Sequence, residues 1–249
     1  MSCVLGFATA ELAIVAADTR LNISPREGEK AVHDSGPLTI KLDDGGQLAI
    51  TAEYRKVRRL RNGWIGAAGV FPLMYWTFEA LLRADAKDNR FIEATMRRVC
   101  SSSTTRLRRI LPKQVSDIPR TYYVLVADAR AGFTIRALGP DGQDVLRGSN
   151  LYLMTPPEIP PARNHTLRSQ FGRSFRAPRS FSEIPVVIRL VSELLHYVYG
   201  SSETVSDFCE IGLMFRDDRG AAVNVHLFRP NAEVLRASDR TITGMLQVL

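Results

Sequence analysis

The sequence lacks the signatures of the common catalytic and nucleotide-binding sites. It has no G-x-S-x-G elbow, no G-x-x-x-x-G-K-[ST] loop, no G-x-G-x-x-G after a strand and no H-E-x-x-H. The four histidines lie far apart in the chain, without the spacing of metal ligands. These absences argue against an elbow-type serine hydrolase, a nucleotide-binding enzyme and a zinc peptidase. No cofactor and no metal are predicted.

Cysteines and long apolar runs are also scarce. Cys3, Cys100 and Cys209 form no C-x-x-C pair and are too scattered for a disulfide framework, which fits a reducing, cytoplasmic location. No stretch approaches the roughly 20 apolar residues of a membrane span. Residues 3–17 resemble the apolar part of a signal peptide, but no Lys or Arg precedes them and Glu11 interrupts them. We therefore predict two short strands there.

The charge is strongly basic, with a formal net charge of +7. That value invites a nucleic-acid partner. Asp and Glu nevertheless total 26, and arginines run along the whole chain, so we favour a solvated surface. The Pro- and Arg-rich segment 156–180 receives no assigned element. A solvated, partly disordered segment is favoured there over a basic surface for a partner or anionic substrate, built from Arg163, Arg168, Arg173, Arg176 and Arg179.

Hydrophobic periodicity places strands and helices in separate blocks. With 45% hydrophobic residues the chain can bury a sizeable core, and without a linker we expect one domain over 1–249. Separate blocks favour an α+β fold with antiparallel sheets. The pattern predicts a loop over 22–37, a hairpin in LTIKL-DDGG-QLAIT, strands near 55–60, 64–68, 121–127, 132–138, 145–154, 209–216 and 221–228, and helices near 73–86, 91–111 and 183–199.

The start of the chain is the remaining candidate for chemistry. Ser2 is small, so an aminopeptidase could remove Met1 and expose the Ser2 α-amine. A free α-amine has a pKa of about 7.7–8.0 and serves as a base near neutral pH. A hydroxyl on the same residue then becomes an activated nucleophile.

The surrounding sequence resembles a known family. S-C-V-L-G-F and A-I-V-A-A-D-T-R are similar to the opening of proteasome β subunits, with Gly6, Asp18 and Arg20 at the family's offsets. Y-R-K-V-R-R-L-R-N-G-W-I-G-A-A-G resembles a segment of HslV, the bacterial proteasome homologue that works with an ATPase. The predicted element order also matches. The resemblance implies the four-layer αββα sandwich of N-terminal nucleophile hydrolases, assembled as homo-oligomeric stacked rings.

The resemblance also implies residue roles. Ser2 would supply the nucleophilic oxygen and Lys56 a positive charge beside it, while Asp18 would pair with Lys56 and orient it. The backbone N–H of Gly69 would contribute to an oxyanion hole. Glu203 and Ser206 occupy the positions of the family's supporting acid and serine. The alternative is that Lys56, Asp18, Gly69, Glu203 and Ser206 are ordinary strand, turn or loop residues without a catalytic role.

Four departures from the family pattern stand out. The nucleophile is Ser instead of Thr, and a loop and hairpin are inserted at about 22–55. The stretch from Lys56 to Gly69 is one residue short, which leaves the oxyanion donor open by one position. The family's G-S-G turn and following helix are replaced by M-T-P-P, where Thr155 could stand in for a serine, and by the Pro/Arg segment.

Three functions therefore compete. The first is peptide-bond hydrolysis through an acyl-enzyme on Ser2, acting on peptides or unfolded proteins supplied by an ATP-dependent unfoldase. The second is a catalytically silent structural or binding subunit, motivated by the altered turns at 66–70 and 155–157. The third is an amidase or a transpeptidase that passes the acyl group to an amine, motivated by the inserted hairpin.

Overall fold

Twelve strands and six helices make up the fold in a computed structural model that describes residues 2–19, 38–41, 47–50, 55–87, 93–110, 118–145, 151–178, 180–203, 205–217 and 219–249. The predicted loop 22–37 lies outside these ranges. The strands are β1 Val4–Ala8, β2 Leu12–Asp18, β3 Leu38–Lys41, β4 Gln47–Ile50, β5 Val57–Leu60, β6 Gly63–Ala68, β7 Tyr122–Ala129, β8 Gly132–Leu138, β9 Leu151–Met154, β10 Phe208–Arg216, β11 Ala222–Pro230 and β12 Gln247–Val248. The helices are α1 Phe71–Lys87, α2 Glu93–Ile110, α3 Pro161–Ser174, α4 Ile184–Gly200, α5 Asn231–Arg236 and α6 Asp239–Met245.

The first sheet has six antiparallel strands in the order β12-β11-β10-β2-β1-β9. Every residue of β1 and β2 is buried, because both faces of this part of the sheet are covered. Such strands read as nearly continuous apolar runs instead of alternating ones. That is why V-L-G-F-A and L-A-I-V-A-A-D superficially imitate a signal peptide.

The second sheet has four antiparallel strands in the order β5-β6-β7-β8. Its outer face packs on α1 and α2 through a core that includes Ile65, Met74, Met96 and Tyr123. The inserted hairpin β3–β4 forms a two-stranded sheet of its own.

Helices α3 to α6 cover the face of the first sheet that points away from the second sheet. The apolar face of α4 carries Ile188, Val191 and Leu195 into a core shared with Leu5 and Ile211. A third core, with Val15 and Val124, lies between the two sheets. The layers therefore run helix, sheet, sheet, helix, which confirms the predicted architecture.

Close contact between the sheets depends on Gly6. A Cβ atom on Gly6 would overlap Cγ1 of Val124 and touch Ile135 on the facing sheet. Any other residue would push β1 away from β7 and β8. The glycine of the S-C-V-L-G-F motif therefore has a packing role.

Segment 156–180 does not match the expectation of a disordered stretch. It contains α3, which begins at Pro161. Leu167 of this helix is buried in the core between the first sheet and the helices that cover it. Proline is well suited to the first turn of a helix. The strand predicted over 145–154 is described only from Leu151, and Arg179 lies outside the described residues.

A membrane crossing needs a helix of about 20 mostly apolar residues. In the described ranges, each helix is too short or too polar to span a bilayer.

We predict that Gly6→Ala lowers the free energy of unfolding by about 1–3 kcal/mol, because the added methyl group overpacks the space between the sheets. Gly200→Ala is the matched control, since a Cβ atom there meets no other atom within 4 Å. Urea unfolding followed by tryptophan fluorescence measures both variants. Equal effects of the two substitutions would contradict this account of the sheet packing.

Candidate active site

The start of β1 brings Ser2 next to a lysine from the other sheet. Lys56 Nζ lies 2.8 Å from Ser2 Oγ and donates a hydrogen bond to it. Both side chains are buried, with 3% of Ser2 and 1% of Lys56 exposed. A lysine is rarely buried this deeply unless it is paired.

Asp18 provides that pairing. One carboxylate oxygen, Oδ2, lies 3.0 Å from Lys56 Nζ, and the other, Oδ1, accepts the backbone N–H of Cys3 at 2.7 Å. Asp18 is fully buried. Its carboxylate therefore joins the lysine to the backbone that carries Ser2.

Strand register brings these three residues together. In the β1–β2 hairpin Val4 pairs with Ala17, and the Asp18 N–H donates to the Cys3 carbonyl at 3.3 Å. Asp18 therefore ends β2 beside the start of β1. On the facing sheet, the Lys56 carbonyl accepts the Ala67 N–H at 3.0 Å, which continues the β5–β6 ladder by one residue.

Ser206 supports the site through Thr19. Its hydroxyl accepts the Thr19 N–H at 3.0 Å and lies 2.9 Å from the Thr19 hydroxyl. Both residues are buried. Thr19 follows Asp18 directly, so Ser206 fixes the end of β2. Glu203 is exposed at the surface.

Gly69 ends β6 in a conformation that requires glycine. Its φ is +135°, and a Cβ atom there would overlap Thr121. Thr121 Oγ1 accepts the N–H of the next residue, Val70, at 3.0 Å. Because Gly69 lies two residues beyond Ala67, which pairs with Lys56, the turn is close to the Lys56 backbone.

Cys3 has its thiol on the opposite side of β1. Its side chain joins Leu5 in the core against the helices, whereas Val4 lies between the sheets. Burial raises the pKa of the Cys3 thiol far above its usual range, with the Asp18 charge adding to the effect. Cys3 is therefore an inert core residue, although it neighbours the candidate nucleophile.

Sequence patterns missed several groups that surround the site. Thr121 carries no motif signal, and Thr19 is only the variable middle residue of the D-x-R motif. Glu210, buried on β10, accepts the Val57 N–H beside Lys56.

His196 pairs with Asp207 at 2.7 Å and has a half-exposed side chain. Within the part of the chain that the structure covers, no cluster of His, Cys, Asp and Glu could hold a metal.

This four-layer helix–sheet–sheet–helix sandwich is the fold of Anbu in its solved structures. It is similar to a Gly-1 mutant of Anbu from Hyphomicrobium sp. strain MC1, with TM-score 0.55, 12% identity and coverage of 98% of this chain and 96% of the other. It is also similar to Anbu, an ancestral beta-subunit, from Yersinia bercovieri, with TM-score 0.55, 9% identity and coverage of 100% and 87%. No protein-family model and no curated protein matches the sequence. At these identities the likeness establishes the fold.

We predict that Lys56→Met lowers the free energy of unfolding by about 3–5 kcal/mol, because it leaves the Asp18 carboxylate buried without its cation. Adding Asp18→Asn should restore part of the loss, since Asn keeps an acceptor for the Cys3 N–H and removes the charge. Asp239→Asn, in an exposed pair with Arg189, is the control and should change stability by less than about 1 kcal/mol. Urea unfolding of the four proteins tests this; a double variant no more stable than Lys56→Met alone would contradict it.

The buried thiols generate a second prediction. Burial raises the pKa of Cys100 and of Cys209 to about 12, while an unfolded thiol ionises near pH 8.5. Above that pH the folded state holds more protons than the unfolded state, so stability should fall as the pH rises toward 12. A disulfide reagent should label the thiols only after unfolding. Rapid labelling of the native protein at mildly alkaline pH would refute this.

Proposed function

We propose that the chain is an N-terminal nucleophile peptidase that uses Ser2 after removal of Met1. The observation that carries the proposal is the 2.8 Å contact between Ser2 Oγ and Lys56 Nζ, inside a buried ion pair with Asp18. A buried lysine–carboxylate pair is a weak contributor to stability compared with apolar packing. Its location at a terminal hydroxyl supports a catalytic use.

In the first step the Ser2 α-amine takes the proton of Oγ, and Oγ forms a bond to the substrate carbonyl carbon. The Lys56 ammonium stabilises the negative charge that develops on Oγ. Collapse of the tetrahedral adduct breaks the C–N bond, and the departing amine takes the proton from the α-ammonium. The acyl group is then held as an ester on Ser2.

In the second step water attacks that ester. The α-amine accepts a proton from the water, the hydroxide equivalent bonds to the carbonyl carbon, and the C–Oγ bond breaks. Oγ recovers its proton and the carboxylic acid leaves. The turn at Gly69 is our candidate for binding the oxyanion in both steps, because its backbone is held in place by Thr121.

The assembly and location belong to the same proposal. By resemblance to proteasome β subunits and HslV, we propose stacked rings of identical subunits in the cytoplasm. Peptides or unfolded proteins, delivered by an ATP-dependent unfoldase, would be the substrates. We also assign Glu203 to the support of the N-terminus, by its place after α4.

The test begins with the intact mass, since retained Met1 would leave Ser2 without a free α-amine and would end the proposal. A peptide epoxyketone should then add to the mature protein, because that reagent needs both the hydroxyl and the free amine. Ser2→Ala should abolish the adduct and lower peptide hydrolysis at least about a thousandfold. Cys3→Ala is the matched control at the neighbouring position and should keep both. Loss of activity in Cys3→Ala alone would overturn the assignment of the nucleophile.

A silent subunit is the second candidate, and the end of β9 favours it. In the β1–β9 register Val4 pairs with Met154, so extending the pairing by two residues places Pro156 opposite Ser2. Pro156 and Pro157 have no N–H to donate to a substrate or to the N-terminus. A mature N-terminus without any epoxyketone adduct would favour this candidate. Adducts accompanied by peptide ligation to added amines would favour the transpeptidase.

A further inference from the structure

Glu210 is a buried carboxylate that the proposed chemistry does not use. It lies on β10, opposite Ala17 and one residue from the position that pairs with Asp18. Only 1% of it is exposed. Its neighbours on the same face of β10, Gly212 and Met214, pack against the second sheet. Glu210 therefore points into the space between the sheets, where an apolar side chain would ordinarily be less costly.

The contacts of Glu210 converge on the backbone around Lys56. Glu210 Oε2 accepts the Val57 N–H at 3.0 Å. The other oxygen, Oε1, lies 3.9 Å from Nε of Arg55 and 3.3 Å from Nε2 of His226. Glu210 thus contacts the residues on both sides of Lys56 in the chain.

These contacts hold Lys56 from two directions. Within its own sheet, the Lys56 carbonyl is bonded to the Ala67 N–H. From the facing sheet, Glu210 binds the next N–H in the chain, that of Val57. A hydrogen bond to a charged acceptor is stronger than one between neutral groups, so this contact resists rotation of the Lys56 backbone.

Arg55 compensates the charge of Glu210, His226 contacts the same carboxylate oxygen, and both side chains are themselves held in place. The His226 ring stacks on Trp64 with ring centroids 5.6 Å apart, and its Nδ1 lies 3.4 Å from Gln247 Oε1. The Arg55 guanidinium lies over the Phe228 ring at 3.7 Å. The carboxylate is therefore part of a packed network and keeps one orientation.

We propose that Glu210 is a positioning residue for Lys56. By binding the Val57 N–H, it fixes the point from which the lysine side chain leaves the backbone. Lys56 Nζ then reaches both Ser2 Oγ and Asp18. The catalytic meaning of this role rests on the proposed peptidase function, whereas the positioning itself is a property of the fold.

The experiment compares Glu210→Gln, which keeps an acceptor for the Val57 N–H, with Glu210→Met, which removes it. Asp85→Leu is the matched control, because Asp85 Oδ2 accepts the Arg61 N–H at 2.6 Å just beyond the other end of β5. One readout is the rate at which a small acylating reagent modifies the Lys56 amine, measured by peptide mass spectrometry. Cys100 alkylation in the distant α1–α2 layer reports global opening. The second readout is kcat and KM for peptide hydrolysis.

Glu210→Met should speed Lys56 acylation about tenfold relative to Cys100 alkylation, since losing a charge-assisted hydrogen bond shifts a local equilibrium by roughly that factor. It should lower kcat while leaving KM unchanged. Glu210→Gln should lie between the wild type and Glu210→Met in both readouts, because its neutral oxygen still accepts the Val57 N–H without the help of a charge. Asp85→Leu should leave Lys56 acylation unchanged.

Two results would overturn the inference: Lys56 acylation that is unaffected in Glu210→Met, or an equal rise in Asp85→Leu. If Glu210→Met unfolds, Glu210→Gln decides the question. A folded Glu210→Gln that loses peptidase activity while its rate of Lys56 acylation stays unchanged would also refute positioning, because activity would then be lost without any movement of Lys56. The two proposals can also fail separately. If the wild-type protein has no peptidase activity but Lys56 is acylated faster in Glu210→Met, the proposed function is refuted and the positioning role stands.

Discussion

The ion pair between Lys56 and Asp18 joins the two sheets of the sandwich, and the candidate site exists only where it forms. Asp18 and Ser2 belong to the first sheet, whereas Lys56 precedes β5 of the second. The lysine reaches across because the sheets are in close contact, which Gly6 permits by leaving space for Val124. The polar cluster can therefore form only because the apolar strands of the two sheets pack this closely.

Opposite charges face each other between the two sheets. Two buried carboxylates, Asp18 and Glu210, lie on neighbouring strands of the first sheet, and the cations that face them, Lys56 and Arg55, are consecutive residues just before β5. Asp18 and Glu210 therefore each have a cation on the opposite sheet, as the cost of burying an isolated ion requires. Sliding one sheet over the other would separate both pairs, so these contacts specify the relative placement of the sheets.

The sequence predicted the parts of this arrangement that have a periodic or a motif signal. Apolar runs and turns indicated most strands and three helices, and the D-T-R and K-V-R-R-L segments pointed to Asp18 and Lys56. Helix α3 was missed because Pro160 and Pro161 suggest a break, and only Leu167 of the helix is buried. Glu210 was missed because an acid in a strand ordinarily indicates the solvent face. Only the three-dimensional pairing reveals that its face is covered.

Strand alternation settles which neighbouring side chain enters the polar cluster. Successive residues of a strand point to opposite faces, so Ser2 and Cys3 are sent to different layers. The thiol is the stronger nucleophile in general, but it lies in the apolar core beside Leu5, where burial keeps it protonated. The hydroxyl instead meets the Lys56 ammonium. A shift of β1 by one residue relative to β2 would exchange the two positions and move the thiol to the lysine. The hydrogen bonds between Cys3 and Asp18 oppose that shift, so the same aspartate that orients Lys56 also selects the residue it faces.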